Sequence, residues 1–234
     1  MIPASDPSLR ILTSQESASG LSAVWARENT REAVFDALQR KEVYATTGTR
    51  LRVRVFAGWE FEADDLSRHD FTEYGYTRGV PMGGDLSAAP KGGAPRFLIR
   101  ALRDTDGANL DRVQVIKGWI DKRGDTHERI YDVAVSGDRK IGKDGRARQP
   151  VGSTVDIEQA TYTNTIGAAM LGAHWEDPDF DPKQDAFYYV RVLEIPTPRW
   201  TTHDAAFYAI DRPTNVPATV QDRAYTSPIW YSAK

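Results

Sequence analysis

The fold is indicated first by the run Arg50-Leu-Arg-Val-Arg-Val-Phe56, which alternates basic and apolar side chains from Arg50 to Val55. A strand places successive side chains on opposite faces of a sheet, so Leu51, Val53 and Val55 share one face and the arginines share the other. One buried and one solvated face is typical of antiparallel sheets. The run therefore predicts a half-buried antiparallel strand.

Further strand patterns follow towards the carboxy terminus, separated by clusters of Gly, Pro and Asp. They cover residues 96–103, 112–119, 129–135 and 186–195. Tyr188, Val190 and Val192 repeat with the period of two that the wall of a sandwich requires. We therefore predict a mainly β chain in which residues 50–234 form an antiparallel β-sandwich-like domain. Long irregular stretches are predicted at 58–95 and 137–151.

The segment ahead of the sandwich predicts one helix and one short strand. Asn29 followed by Glu32 has the spacing of a capping box, which starts a helix at about 29–41. The helical pattern continues through Ala33, Val34, Ala37, Leu38 and Lys41. A strand is predicted at about 43–47. Residues 1–19 are rich in Ser and Pro and are predicted to be a flexible lead-in.

Composition excludes several classes of function. The 30 Lys and Arg residues against 33 Asp and Glu give a net charge of -3, so no basic field exists to attract nucleic acid. Cysteine is absent, which removes disulfides, thiolate nucleophiles and cysteine-ligated metals. No apolar run reaches the ~20 residues of a membrane span, and the start lacks the pattern of a signal peptide. We therefore expect a soluble chain without an export signal of its own.

The sequence offers weak signals for catalysis or metal binding. The four histidines are His69, His127, His174 and His203, and none forms an HxH or HExxH pattern, so no metal site is predicted. The acidic run Glu176-Asp-Pro-Asp-Phe-Asp181 suits Ca²⁺ in composition but lacks the glycine and final glutamate of a recognised loop. A solvated turn is the favoured interpretation. No GxSxG nucleophile elbow is present.

Two segments combine a cation with a tryptophan, Lys117-Gly-Trp119 and Pro196-Thr-Pro-Arg-Trp200. A cation beside an indole can bind a carboxylate, a phosphate or a sugar. Alternatively, the tryptophans cap the sandwich core while the cations reach solvent, and this interpretation is favoured.

Long segments of the chain resemble a known family. The run Gly20-Leu-Ser-Ala-Val-Trp-Ala-Arg-Glu-Asn-Thr-Arg-Glu-Ala-Val-Phe-Asp-Ala-Leu38, continued by Arg40-Lys-Glu-Val-Tyr-Ala-Thr-Thr-Gly-Thr-Arg50, resembles the carboxy-terminal region of the domain-of-unknown-function family 3604. Further matching segments are Val80-Pro-Met-Gly-Gly-Asp85, Val115-Ile-Lys-Gly-Trp119, Tyr131-Asp-Val-Ala134, Tyr189-Val-Arg-Val-Leu-Glu-Ile-Pro-Thr-Pro-Arg-Trp200 and Tyr225-Thr-Ser-Pro-Ile-Trp230.

The resemblance implies a relationship to the polymerase-and-histidinol-phosphatase (PHP) metal-dependent hydrolases. Their amino-terminal (β/α) barrel carries metal-binding histidines and aspartates, and full-length members are often exported to the periplasm or beyond. The barrel's HxH and Asp-x-His segments are expected before Gly20, and neither lies there. Residues 20–49 are then expected to be the last helix and strand of that barrel, and divalent metals are expected in the missing barrel rather than here.

Two functional hypotheses follow. In the first, the chain is the carboxy-terminal portion of a phosphoesterase-like hydrolase, not catalytically competent alone, and its partner is the missing barrel, in cis or as a separate chain. The substrate-contact candidates are Arg31, Lys117, Trp119, Arg199 and Trp200. In the second, the chain is a free-standing binding module that presents Trp119, Trp200 and Trp230 to a carbohydrate or a protein.

Overall fold

The computed structural model describes residues 12–17 and 19–233, which form mainly antiparallel β-sheet. The strands, in chain order, are β1 (Leu21–Val24), β2 (Val43–Thr46), β3 (Arg52–Gly58), β4 (Gly79–Pro81), β5 (Arg96–Leu102), β6 (Leu110–Ile120), β7 (Thr126–Val135), β8 (Met170–Glu176), β9 (Ala186–Glu194), β10 (Thr197–Pro198), β11 (Thr219–Val220), β12 (Arg223–Thr226) and β13 (Ile229–Tyr231). The helices are α1 (Arg31–Gln39), α2 (Phe71–Arg78) and α3 (Trp200–Tyr208). Short 3₁₀ turns lie at Thr13–Gln15 and Ala63–Ser67.

Two sheets enclose the main core. One has seven strands in the order β1-β2-β12-β9-β6-β7, with β13 also paired to β9, and the other has four in the order β4-β3-β5-β8. Inward side chains of both sheets join one buried cluster, among them Val55, Ile99, Val115 and Val190. The arrangement is that of a β-sandwich, in which the burial of apolar side chains from two facing sheets is the main stabilising contribution.

The strand prediction at residue 50 is confirmed in its face assignment. Leu51, Val53 and Val55 are buried, while Arg52 is exposed and Arg54 is half-buried. β3 itself starts at Arg52 and runs to Gly58. Residues 137–151 contain no regular element.

The stretch 58–95 is more regular than its sequence indicated, because it contains α2 and β4. α2 covers the outer face of the four-stranded sheet, where Phe56, Phe61, Phe71 and Leu98 form a second buried cluster. Gly75 permits this contact, since a Cβ on it would lie 2.4 Å from the Phe56 ring. A glycine within a helix obscures the helical pattern, which is why the sequence did not reveal α2.

The helix predicted at 29–41 is shorter at both ends. Its N-cap is Thr30 rather than Asn29, because the Thr30 hydroxyl accepts a hydrogen bond from the amide of Ala33 at 3.3 Å. Lys41 has a φ of 58°, and this left-handed conformation stops the helix before it. α1 therefore spans Arg31–Gln39.

Residues 20–49 lie within the sandwich rather than beside it. β1 pairs with β2 in antiparallel fashion, and β2 pairs with β12 from the far end of the chain. Residues 47–51 connect β2 of the seven-stranded sheet to β3 of the four-stranded sheet, and the predicted domain boundary at residue 50 stays a prediction. The origin of this segment in a barrel stays a prediction. None of the helices within residues 12–17 and 19–233 has the length and apolar character needed to cross a bilayer.

Candidate functional site

A cavity of about 510 Å³, here called the arginine cavity, opens beside α1. It is lined by Trp25, Ala26, Arg27, Arg40, Glu42, Arg54, Thr72 and Tyr76. These residues come from the β1–α1 connection, the segment between α1 and β2, strand β3 and helix α2. Elements from both sheets therefore meet at this cavity.

Glu42 lines the arginine cavity with a buried side chain that is only 2% exposed. The left-handed Lys41 ends α1 just before it, and the Glu42 amide then donates to the Ala37 carbonyl at 3.0 Å. The Glu42 carbonyl accepts from the Trp25 amide at 3.0 Å. The backbone on both sides of the carboxylate is thus held by α1 and by the β1–α1 connection.

The Glu42 carboxylate accepts hydrogen bonds from one tyrosine and two arginines. The Tyr76 hydroxyl and Arg54 Nη2 both donate to Oε1, the latter at 3.4 Å, and Arg40 Nη2 lies 3.5 Å from Oε2. Arg54 Nη2 also donates to the Tyr76 hydroxyl at 2.7 Å. Burial and the hydrogen bond to Glu42 raise the pKa of Tyr76 to about 12, so the phenol stays protonated at neutral pH.

Arg54 is held in place by aromatic rings. Its Cζ lies 4.2 Å from the centre of the Trp25 ring and 5.4 Å from that of Tyr76. Trp25 is oriented in turn by a hydrogen bond from its Nε1 to the Val53 carbonyl at 3.0 Å. A guanidinium stacked on an indole is stabilised by the ring quadrupole and has little rotamer freedom left.

Of the predicted contact residues, Arg31 lies nearest in sequence to the arginine cavity but does not line it. It is the exposed first residue of α1. Sequence reasoning missed Glu42 and Arg54, although the strand alternation already placed Arg54 on the face opposite Val53 and Val55. The signal that identifies them is the convergence of α1, β3 and α2, which only the fold produces.

Lys117 is buried and neutralised by an acidic side chain. Its Nζ lies 2.6 Å from Asp177 Oδ2, with side-chain exposures of 3% and 0%, and it donates to the Asp179 carbonyl at 2.8 Å. The Tyr188 hydroxyl also donates to Asp177 Oδ2, at 2.7 Å. Burial, reinforced by Asp177, raises the pKa of Tyr188. Lys117 does not reach solvent, contrary to the interpretation favoured from the sequence.

The acidic run 176–181 contains an exposed turn at Pro178 and Asp179, as predicted, but the carboxylate of Asp177 is buried. Asp177 accepts from Lys117 and Tyr188 in the interior, and Asp179 accepts from Arg129 Nη1 and the Tyr131 hydroxyl, both at 2.6 Å. Burial and this hydrogen bond raise the pKa of Tyr131. The carboxylates of the run therefore attach it to the end of the sandwich.

Trp119 lines a second cavity of about 660 Å³, here called the tryptophan cavity. Its ring stacks on that of His127, with centroids 5.3 Å apart. Phe187 and Trp230 also line the cavity, and their ring centroids are 5.2 Å apart. Gly118 makes room for Phe187, because a Cβ there would lie 2.3 Å from the ring. The carboxylates of Glu128 and Asp185 add polar groups to this apolar lining.

Arg199 and Trp200 hold the amino-terminal segment of the chain. Arg199 donates from Nη1 to the Ser14 carbonyl and from Nη2 to the Glu16 carbonyl, both at 2.6 Å. Trp200 Nε1 donates to the same Glu16 carbonyl at 2.7 Å. Residues 14–16 of the predicted lead-in are therefore attached to the start of α3, whereas residues 1–11 and 18 of the lead-in lie outside the described residues. Both residues line a cavity of about 560 Å³ that shares no residue with the arginine or tryptophan cavity.

Glu194 is a buried carboxylate that forms no ion pair with any residue that the structure describes. Its Oε1 is buried without a hydrogen-bond partner among those residues. Burial raises its pKa to about 8, so the group is largely protonated at neutral pH.

The described residues do not fit a metal ion. Within 12–17 and 19–233, no three His, Asp or Glu side chains lie close enough together to hold one.

Comparison with known proteins identifies a family but no characterised relative. No curated protein and no solved structure matches the chain. The family model described as "Protein of unknown function (DUF3604)" matches residues 4–233, almost the whole sequence. The chain therefore belongs to this family of proteins of unknown function.

Proposed function

We propose that the chain is the carboxy-terminal, non-metal-binding portion of a metal-dependent hydrolase of the phosphoesterase type. The catalytic part would be a PHP-like barrel, in cis or as a separate chain. The observation that carries this proposal is the uncovered side of the sandwich formed by α1 and the edge strand β1.

α1 presents its large apolar side chains to solvent. Phe35 and Leu38 are 57% and 50% exposed, and the only fully buried residue of the helix is the small Ala37. Residues three apart in a helix lie on the same side, so Phe35 and Leu38 form one apolar surface. A helix that normally faced water would bury such residues, so this surface fits contact with a further domain.

The edge of the seven-stranded sheet lies at the same side. β1 pairs only with β2 among the described strands, and Leu21 on it is 42% exposed. An open edge with apolar side chains is a surface that proteins usually cover. β1, α1 and the strand that follows contain the longest segment of resemblance to the family of unknown function, whose expected relationship to barrel hydrolases is the reason that a barrel is the proposed neighbour.

The metals of the proposed hydrolase would be held by the barrel, because the described residues of this chain hold no ligand cluster. Two or more metal ions in such a barrel activate water and neutralise the leaving oxygen. Arg31, at the start of α1, remains a candidate for substrate contact from this side. Lys117 forms an ion pair with Asp177, and Arg199 and Trp200 donate hydrogen bonds to carbonyls of the lead-in. Contact of these three residues with a substrate would require them to give up those partners.

The proposal is tested with the chain alone and with the metal-binding part of a full-length family member. The chain alone, purified without chelator, is expected to contain no stoichiometric metal and to leave bis-nitrophenyl phosphate intact. The metal-binding part is expected to form a complex with it in size-exclusion chromatography. Replacing Phe35 and Leu38 with serine should abolish the complex.

Phe207→Ser is the matched control, because Phe207 is 82% exposed on α3 and lies outside the proposed surface. It should leave the complex intact. Stoichiometric metal with chelator-sensitive turnover by the chain alone would contradict the proposal, as would equal complex formation by the double serine variant.

The second candidate function is a carbohydrate-binding module, and the tryptophan cavity favours it. Aromatic rings of Trp119, Phe187 and Trp230 together with the carboxylates of Glu128 and Asp185 provide apolar faces and hydrogen-bond acceptors, the combination that a sugar ring requires. Saturable binding of an oligosaccharide that Trp230→Ala removes would support this function. Trp200 lines a different cavity and would not contribute.

A further inference from the structure

We propose that the arginine cavity is a binding site for the oxyanion group, a carboxylate or a phosphate, of a small molecule. Arg27, Arg40 and Arg54 would bind the anion. This inference goes beyond the proposed hydrolase function, since the cavity is complete within this chain and needs neither a metal nor a second domain.

The charge of the lining favours an anion. Three arginines line the cavity against the single carboxylate of Glu42. That carboxylate is buried and already accepts from Arg40, Arg54 and Tyr76, so it orients the cations without presenting its own charge to the opening. The lining therefore carries an excess of positive charge at the surface that a ligand would meet.

The guanidinium of Arg54 is already held in a fixed orientation by neighbouring side chains. Nη2 is occupied by Glu42 and Tyr76, whereas no described residue accepts a hydrogen bond from Nη1. The stack on Trp25 holds the guanidinium plane, and the Arg54 side chain, which lines the cavity, is 15% exposed. A donor that is already oriented loses little conformational entropy on binding, which increases affinity.

Arg27 and Arg40 provide exposed guanidinium groups at the opening. Both are exposed, and Arg27 forms no ion pair with any described residue. Arg54, whose side chain is only 15% exposed, adds a largely buried donor to these two exposed ones, and several cationic donors suit an oxyanion with several acceptor oxygens.

The surroundings limit the ligand to a small molecule. The cavity volume of about 510 Å³ is in the range of small-molecule sites. The neighbouring cavity shares Arg27 and Arg40 but is otherwise lined by Glu28, Glu32, Ala33 and Asp36. Those carboxylates would repel a polyanion that extended along α1, so a nucleic acid does not fit.

The test is isothermal titration of the whole chain with inorganic phosphate and, separately, with acetate, in a buffer of low ionic strength that contains neither anion. Saturable binding of at least one of them is expected. The double variant Arg27→Ala/Arg40→Ala should bind at least about tenfold more weakly, because each charged hydrogen bond contributes measurably to affinity. Arg54→Lys should also weaken binding, since it keeps the charge but loses the planar donor set.

The control is Arg148→Ala, which removes an exposed arginine that pairs with Asp144 far from α1 in sequence. Its affinity should equal that of the wild type, and circular dichroism should show the same fold for every variant. No saturable heat with either anion would overturn the proposal, and so would equal affinity in the Arg27/Arg40 variant. Because no metal or second chain is present, failure here leaves the proposed docking of a catalytic part unaffected.

Discussion

Two charged clusters of nearly the same composition have opposite environments in this molecule. The lysine cluster joins Lys117, Asp177 and Tyr188, and the arginine cluster joins Arg54, Glu42 and Tyr76. Each combines a carboxylate, a cation and a tyrosine hydroxyl. The tyrosine is 1% exposed in the first cluster and 44% exposed in the second.

The difference separates a structural role from a binding role. In the lysine cluster, the ammonium group is surrounded by Asp177 and the Asp179 carbonyl, so it attaches the run 176–181 to the sandwich. In the arginine cluster, the planar cation is oriented by a ring and a carboxylate while it borders a cavity. The compact ammonium group of a lysine suits a site that is enclosed by a carboxylate and a carbonyl. The planar guanidinium of an arginine, with several donors, suits a site that borders a cavity.

The largest expected effect is on the lysine cluster. Lys117→Met should lower the free energy of unfolding by about 3–5 kcal/mol, because it leaves Asp177 buried without its cation. Urea denaturation measures this loss. The control Lys122→Met removes an exposed lysine from the β6–β7 connection and should change stability by less than about 0.5 kcal/mol. A loss below about 1 kcal/mol for Lys117→Met would remove the distinction between the two clusters.

Glu194 extends the comparison to a buried carboxylate that forms no ion pair with any described residue. Its folded pKa of about 8 lies above the ordinary value of 4.5, so its contribution to stability is fully present below pH 4.5. That contribution is lost as the pH rises through about 8. The slope is at most about 1.4 kcal/mol per pH unit for one group.

Urea denaturation from pH 4.5 to 9 of the wild type and of Glu194→Gln measures this dependence. The wild type should lose stability relative to the variant as the pH rises, and the difference should level off above pH 8 to 9. Parallel curves for the two proteins would show that Glu194 ionises normally despite its burial.

The smallest effect distinguishes the two tyrosines. Tyr188→Phe should cost about 1–2 kcal/mol, because it removes a buried hydrogen bond to a carboxylate. Tyr76→Phe should cost less than about 1 kcal/mol, because the Glu42 carboxylate keeps its hydrogen bonds from Arg40 and Arg54. Thermal denaturation of both variants provides the measurement, and equal losses would indicate that the arginine cluster is as sealed as the lysine cluster.

Local patterns predicted the parts of the fold that depend on neighbouring residues. The alternation at 50–56 predicted β3 and its buried face, and the runs at 112–119 and 186–195 predicted β6 and β9 to within two residues. α2 was missed because its pattern contains Gly75, which is explained only by contact with Phe56. The helix at α1 was predicted two residues too long at each end, since Thr30 and Lys41 set its limits through backbone geometry.

The candidate sites depended more on the fold. Trp119 was proposed from its neighbours in sequence and does line a cavity, but Lys117 beside it faces a carboxylate 60 residues further along the chain. Glu42 and Arg54 are separated by 12 residues and offered no motif. They lie close together because the segment between α1 and β2, strand β3 and helix α2 meet at the arginine cavity.

By itself, the sequence indicated strands β2, β3, β5, β6, β7 and β9, the buried face of β3, the absence of cysteine chemistry and the family. Hydrophobic periodicity depends on residues that are close in sequence, and family membership depends on the amino-acid sequence as a whole. Both can therefore be established without a structure. Only the tertiary structure decided which charges are neutralised in the interior and which border a cavity. That distinction depends on desolvation, because residues that are distant in sequence bury a charged side chain and exclude water from it.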